Sequence, residues 1–96
     1  MGKYLIQYSK KAIRDLQMIK KSGRKSDRTR IDLFLLEMEE SPRMGSGSPE
    51  QLKYFDGEIW SRAINKKDRL IYEIFEEEIA VVVIQALAHY NDKQLI

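Results

Sequence analysis

Four side chains in this 96-residue chain have types and positions suited to chemistry on an anionic substrate. His89 is the only histidine, and it follows directly on the most apolar run of the chain, Ile79 to Ala88. Its ring is the side chain that ordinarily changes charge near neutral pH, so at a strand end it can pass a proton under physiological conditions. Glu50, just after Pro49, is a carboxylate at the start of an alternating segment. Arg62 and Arg69 lie in two consecutive strand-like segments, and alternation lets them point toward one surface, opposite the helices. Each residue also has a structural reading: Glu50 as a surface strand start, His89 as an exposed strand-end ring, and the arginines as solvated partners of Glu58 or Glu73. Trp60 reads as core or as a stacking platform.

Composition removes several other chemistries. There is no cysteine, hence no disulfide, thiol nucleophile or zinc–thiolate site, as befits a reducing cytoplasm. One histidine cannot build a histidine-rich metal site, so neither a metal nor another cofactor is expected. The Gly45–Pro49 stretch "GSGSP" lacks the G-K-[ST] of a phosphate-binding loop and more simply shapes a turn. The start, "MGKYLIQYSKK", lacks the apolar core of a signal peptide, and the 79–88 run is about half a membrane span. No membrane role is expected. Net charge is +2 but uneven. Residues 1–32 carry ten Lys/Arg against three Asp/Glu, residues 33–60 two against six, and residues 61–96 five against six. A basic first third attracts a polyanion or an acidic partner, although it also suits two solvated helices.

Positioning those side chains requires a scaffold, and the periodicities predict one. "KYLIQY" alternates and reads as a strand. Ser9 suits the N-cap of a helix reaching about Ser22, with Ala12, Ile13, Leu16 and Ile19 as its apolar stripe. Gly23 ends it. A second helix begins near Lys25 or Ser26 and puts Ile31, Phe34, Leu35 and Met38 on one face. After the "SPRMGSGSP" loop the period becomes two. "EQLKYF" and "EIWSRAI" flank Asp56-Gly57, which predicts a tight hairpin with positive φ at both residues. "NKKD" then turns into "RLIYEIF", and "EEE" turns into the last strand. The prediction is one α+β domain over residues 1–96, ordered β-α-α-β-β-β-β. A helical hairpin covers one face of a mostly antiparallel, twisted sheet, and residues 91–96 form a C-terminal extension.

Four segments, in this order, resemble the Txe/YoeB branch of the RelE/ParE toxin superfamily. Gly45, Gly47, Pro49, Glu50, Leu52 and Lys53 match its G-x-G-x-P-E-x-L-K segment. Trp60, Ser61 and Arg62 match W-S-R. Arg69, Leu70, Ile71 and Tyr72 match R-L-[VI]-Y, and His89-Tyr90 matches the terminal His-Tyr. The resemblance covers most of residues 42–90 closely; the helices match in layout more than in identity.

The resemblance implies a RelE/ParE-like fold and the toxin of a type II toxin–antitoxin system. It further implies a cytoplasmic, ribosome-dependent endoribonuclease that cuts mRNA in the A site, without metal. By residue it implies Glu50 as general base, His89 as general acid, Arg69 as stabiliser of the phosphorane, and Tyr90 as an orienting group. Lys53 would contact phosphate, with Arg62 as a second cation. The implied partners are a cognate antitoxin, the ribosome and its mRNA, and operator DNA only through the antitoxin complex. A homodimer is also allowed. This fits the chemistry of RNA, which carries its own nucleophile in the 2′-OH and needs a base, an acid and a cation.

The chain departs from the family pattern in four places. Ala63 stands where a second arginine usually follows W-S-R, leaving Arg62 or Lys66 to compensate. Lys67 replaces an acidic residue before Arg69. The interval from Arg69 to His89 is about two residues longer than usual. The chain runs on past Tyr90 with Asn91 to Ile96. Two other classes stay open: a non-nucleolytic relative that binds a protein target such as gyrase, and a catalytically silent member that only binds its antitoxin.

Overall fold

The structure is a computed structural model that describes residues 2–87; His89, Tyr90 and the 91–96 extension lie outside the described residues. The chain forms β1 (Leu5–Tyr8), α1 (Lys10–Lys21), α2 (Lys25–Glu40), β2 (Glu50–Gln51), β3 (Glu58–Ala63), β4 (Arg69–Phe75) and β5 (Ala80–Gln85). That is the expected β-α-α-β-β-β-β order. The sheet order is β1-β5-β4-β3-β2, parallel between β1 and β5 and antiparallel elsewhere.

Local chemistry starts and stops the helices where the sequence predicts. The Ser9 hydroxyl accepts the Ala12 N–H at 3.0 Å, satisfying one of the donors left over at the start of α1. Lys20 and Lys21 in its last turn complement the negative helix end. Gly23, at φ 72°, turns the chain into α2. Ile31, Phe34 and Met38 of α2 are buried against Leu70, Tyr72, Ile74, Val81 and Val83 of the sheet, with Ala12 and Ile19 of α1.

The α1 stripe differs from expectation at two positions. Ile13 is 46% exposed, whereas Asp15 is buried. At about 100° per residue, Ile13 is rotated off the line of Ala12 and Ile19, and Asp15 falls between Ala12 and Ile19. Its carboxylate accepts the N–H groups of Ala86 and Leu87 at 3.0 and 3.1 Å and pairs with Lys11 at 2.8 Å.

The tight hairpin at Asp56-Gly57 does not form. Neither residue has positive φ, and β2 is two residues long. Glu50 opposes Ser61 and Gln51 opposes Trp60, after which the Leu52 N–H still donates to Ile59 O at 2.8 Å. Residues 53–57 then make a longer connection. Leu52 is buried with Ile59 and Ile71 on the sheet face away from the helices, with Phe55 and Ile84 packed beside them. Burying Leu52 outweighs the local turn preference.

Candidate active site

Register decides which face each functional residue occupies. Residues directly opposite one another in an antiparallel pair project from the same side of the sheet. Arg69 opposes Ala63, Ile71 opposes Ser61, and Ser61 opposes Glu50. Ile71 belongs to the cluster on the face away from the helices. Glu50, Ser61, Ala63 and Arg69 therefore share that face. Glu50 is exposed and Arg69 half-buried. Only β3 separates them, so their Cα atoms lie roughly 10 Å apart across the strands and ~7 Å along them. The intervening residues, Ser61 and Ala63, are small; Ser61 is buried and Ala63 half-buried between the acid and the cation.

Arg62 is not on this face, contrary to the expectation from alternation alone. It opposes Leu70 rather than Arg69. Alternation within each strand was read correctly, but the register offsets the two sets by one residue, which puts them on opposite sides. Arg62 is fully buried under the loop that precedes β2. Its Nε donates to the Tyr72 hydroxyl at 3.0 Å, and Nη1 donates to Glu37 Oε1 at 2.6 Å and Ser46 O at 3.2 Å. Nη2 donates to the carbonyls of Met44 at 2.8 Å and of Ser41 and Pro42 at 3.4 Å. The guanidinium also lies 5.7 Å from the ring centres of both Phe34 and Tyr72. With every nitrogen engaged inside the protein, Arg62 cannot replace the cation missing at Ala63.

This buried arginine instead shapes the loop that delivers Glu50. Glu37 completes the clamp by accepting from the Ser46 N–H and hydroxyl, each at 2.8 Å. Burial alone would raise the Glu37 carboxyl, but the Ser46 donors and Arg62 hold it below its ordinary value of 4.5. Gly45 and Gly47 have φ of 126° and 81°. A Cβ there would lie 2.6 Å from Glu37 Oε1 or 2.5 Å from the Phe34 ring, so the loop needs glycine at both places. The Gly47 carbonyl accepts the Ala63 N–H at 2.8 Å, tying the loop to β3. Burial pushes the Tyr72 hydroxyl up, and that hydroxyl donates to Pro42 O at 2.7 Å.

Two more residues escaped the sequence reading. Asp15 fastens the Ala86–Leu87 backbone to α1, immediately before the segment that carries His89. A carboxylate inside an apolar helical stripe was the available signal. Gln85 opposes Ile71, in one cross-sheet row with Ser61 and Glu50. Its amide is buried without a hydrogen-bond partner among the described residues. The register shift between Ile71 and Tyr72 marks a bulge at Ile84, which leaves Val83 and Ala86 both in the main core. Lys53 is exposed in the connection after β2. Among the described residues, no group of three His, Cys, Asp or Glu side chains is placed to hold a metal ion, and no helix is long and apolar enough to cross a membrane.

Residues 8–90 match the family model described as the YoeB-like toxin of a bacterial type II toxin–antitoxin system. The chain belongs to the YoeB toxin family. Toxin YoeB of Synechocystis sp. is 36% identical over 62 residues, covering 65% of this chain and 70% of that protein. Toxin YoeB of Streptomyces coelicolor is 34% identical over 61 residues, 64% and 70% of the two chains. Among solved structures, the YoeB dimer of Staphylococcus aureus superposes with a TM-score of 0.79 at 24% identity, covering 93% of this chain and all of that one. The YoeB–YefM toxin–antitoxin complex of the same organism gives 0.75 at 26% identity, with coverage of 91% and 98%. The archaeal RelE–RelB complex of Pyrococcus horikoshii shares the fold at a TM-score of 0.72 and 16% identity, covering 90% and 94%. This is thus a YoeB-family toxin, two helices on a mixed five-stranded sheet, a fold it shares with archaeal RelE. Ala63 stands directly opposite Arg69, on the same face of the sheet.

Proposed function

We propose that this YoeB-family toxin is a ribosome-dependent endoribonuclease that cuts mRNA in the A site. The observation that carries the reading is the placement of Glu50 and Arg69 on one sheet face, two strands apart, with only Ser61 and Ala63 of β3 between them. Glu50 takes the proton of an RNA 2′-OH. The 2′-oxygen attacks the adjacent phosphorus, and Arg69 stabilises the extra charge of the phosphorane. The P–O5′ bond breaks, and His89 gives its proton to the departing 5′-oxygen. The products are a 2′,3′-cyclic phosphate and a 5′-hydroxyl. Each proton transfer supplies ~10²–10⁴-fold and the fixed cation a comparable share. Tyr90 orients the phosphate or the acid, and Lys53 contacts a neighbouring phosphate. Arg62, being buried, has no place in this scheme.

The proposal extends to the setting. Residues 1–96 act as one cytoplasmic domain, held in check by a cognate antitoxin as the Staphylococcus aureus relative is bound by YefM, and reaching operator DNA through that complex. A homodimer like that relative's is the proposed assembly. Ala63 is the one observation favouring a silent, antitoxin-binding member. Addition of the protein to a cell-free translation reaction, with mRNA ends mapped by primer extension, separates the readings. Codon-register cuts that vanish in His89→Gln and Glu50→Gln support the nuclease. Intact mRNA with stalled translation supports a protein target, and intact mRNA with normal translation a silent member.

A further inference from the structure

Two recesses that share lining residues on α2 make one groove, and it reaches the cation of the pair, Arg69. The first, of about 530 Å³, is lined by Ala63, Lys66 and Arg69 of the sheet side and by Ser26, Asp27 and Arg30 of α2. The second, of about 690 Å³, runs on between α2 and the glycine loop, past Lys25, Thr29, Leu33 and Gly47. Ser26 and Arg30 line both. The groove thus opens from Arg69 at one end, and the Gly47–Ala63 hydrogen bond marks where its wall meets the site.

Its charge is lopsided. Lys25, Arg30, Lys66 and Arg69 line it and form no ion pair with a carboxylate among the described residues. The acid in the wall, Asp27, accepts from Asn65 Nδ2 at 3.0 Å and lies 3.9 Å from Arg24. Arg24 in turn pairs with Asp68 at 3.3 Å, so this acidic pair is answered locally. The first turn of α2 adds the hydroxyls of Ser26 and Thr29. Arg24, the residue capping that helix, supplies no side-chain cap, so the turn's N–H groups add positive character. Cations spaced along a groove, with neutral donors between them, suit a strand of regularly spaced phosphates.

We propose that this groove holds the single-stranded RNA on one side of the scissile phosphate, with Lys25, Arg30 and Lys66 each taking a backbone phosphate. The inference rests on the nuclease reading for the direction of its substrate, but the contact itself is measurable without cleavage. It also supplies the cationic grip that Ala63 does not.

The test is equilibrium binding of a fluorescent single-stranded RNA oligonucleotide, with 2′-O-methyl at every position to block cleavage, followed by anisotropy across a salt series. The triple variant Lys25→Gln, Arg30→Gln, Lys66→Gln is compared with wild type and with a control of equal charge, Lys10→Gln, Lys20→Gln, Lys21→Gln on α1. On single strands each phosphate contact contributes about 0.7 to the slope of log K against log salt. The groove variant should lose a slope of about 2, and the control far less. Equal losses in both variants, or no loss in the groove variant, overturns the proposal. Weakened antitoxin binding with an unchanged RNA slope would instead assign the groove to an acidic protein segment and also overturn it. Absence of cleavage by wild type on programmed ribosomes would sink the nuclease reading while leaving the slope comparison intact.

Discussion

Replacing Arg62 with lysine separates a structural arginine from a catalytic one. The guanidinium is fully buried and donates to the Tyr72 hydroxyl, the Glu37 carboxylate and four backbone carbonyls between Ser41 and Ser46. A lysine ammonium has three donors on one atom and cannot span both Glu37 and the Met44 carbonyl while also reaching Tyr72. Retention of the Glu37 pair leaves the Met44 carbonyl without its 2.8 Å donor, and the Tyr72 oxygen loses its donor as well. Each buried polar group left unpaired costs about 1–3 kcal/mol. The two 3.4 Å contacts are long and count for little. Arg62→Lys should therefore cost about 2–4 kcal/mol, a large part of the ~5–15 kcal/mol that holds a small domain. At about 4–8 °C per kcal/mol for a chain of this size, the thermal midpoint falls by roughly 8–32 °C. Differential scanning calorimetry measures it directly. Arg69→Lys, at a half-buried position on the other face, should barely move the midpoint. An Arg62→Lys protein that melts with wild type but no longer cuts mRNA would refute the clamp and return Arg62 to the substrate.

Glu50→Gln and Arg69→Ala should each lower single-turnover cleavage by about 10²–10⁴-fold with midpoints near wild type, because neither side chain is buried; an unfolded variant would count against a site role. Asp15→Ala removes the acceptor of two backbone N–H groups and should cost about 2–4 kcal/mol. If it aligns the His89 segment, cleavage measured well below the midpoint should also fall, whereas wild-type rates would make it purely structural. The Glu37, Glu58 and Glu76 carboxyls are held below 4.5, Glu58 chiefly by Arg43 and Glu76 by Tyr4 and Arg43. Depressed carboxyls add stability that is complete above 4.5 and is lost as pH falls through their lower folded values. Urea midpoints should therefore drop steeply below about pH 4.5, and less steeply in Glu37→Gln. Ala63→Arg should raise kcat/KM about fivefold, the equivalent of ~1 kcal/mol of charge stabilisation beside Arg69; a slower enzyme would show that the small side chain is needed for substrate.

The elements were legible because each is written in local chemistry. Ser9 caps α1, Gly23 ends it, and Ile31, Phe34 and Met38 repeat at helical spacing. The strands followed from alternation. What alternation could not supply was register, and Arg62 shows the consequence. Its neighbours on β3 were grouped correctly, yet a one-residue offset against β4 moved it from the open face into the core. The Asp56-Gly57 turn failed for a related reason, since local preference for a tight turn is worth less than burial of Leu52 against Ile59 and Ile71. Asp15 is marked in the sequence only as a carboxylate within an apolar stripe; its partners are backbone groups seventy-one and seventy-two residues away, which no local pattern names. Glu50 and Arg69 could be named from the resemblance, but only the pairing of three strands places them on one face. His89 and Tyr90 lie outside the described residues and are named from the resemblance alone.

The sheet divides its labour between faces. On the helix side, Arg62, Glu37 and Tyr72 make seven hydrogen bonds to the irregular loop, so the segment ending in Glu50 is held by those bonds rather than by its two-residue strand. On the other side, that carboxylate and Arg69 stand two strands apart, with Ser61 buried and Ala63 half-buried between them. On the proposed reading Arg69 offers the scissile phosphate one cation and Ala63, opposite it, offers none. Binding would then come from beyond that pair. A groove that begins at Arg69 and carries three further cations meets that need without crowding the reacting atoms. Affinity gained from remote phosphates can be spent on aligning the scissile one. Removal of those remote cations should therefore lower the rate on saturating substrate as well as weaken binding, a split that a purely steering role for the groove would not produce.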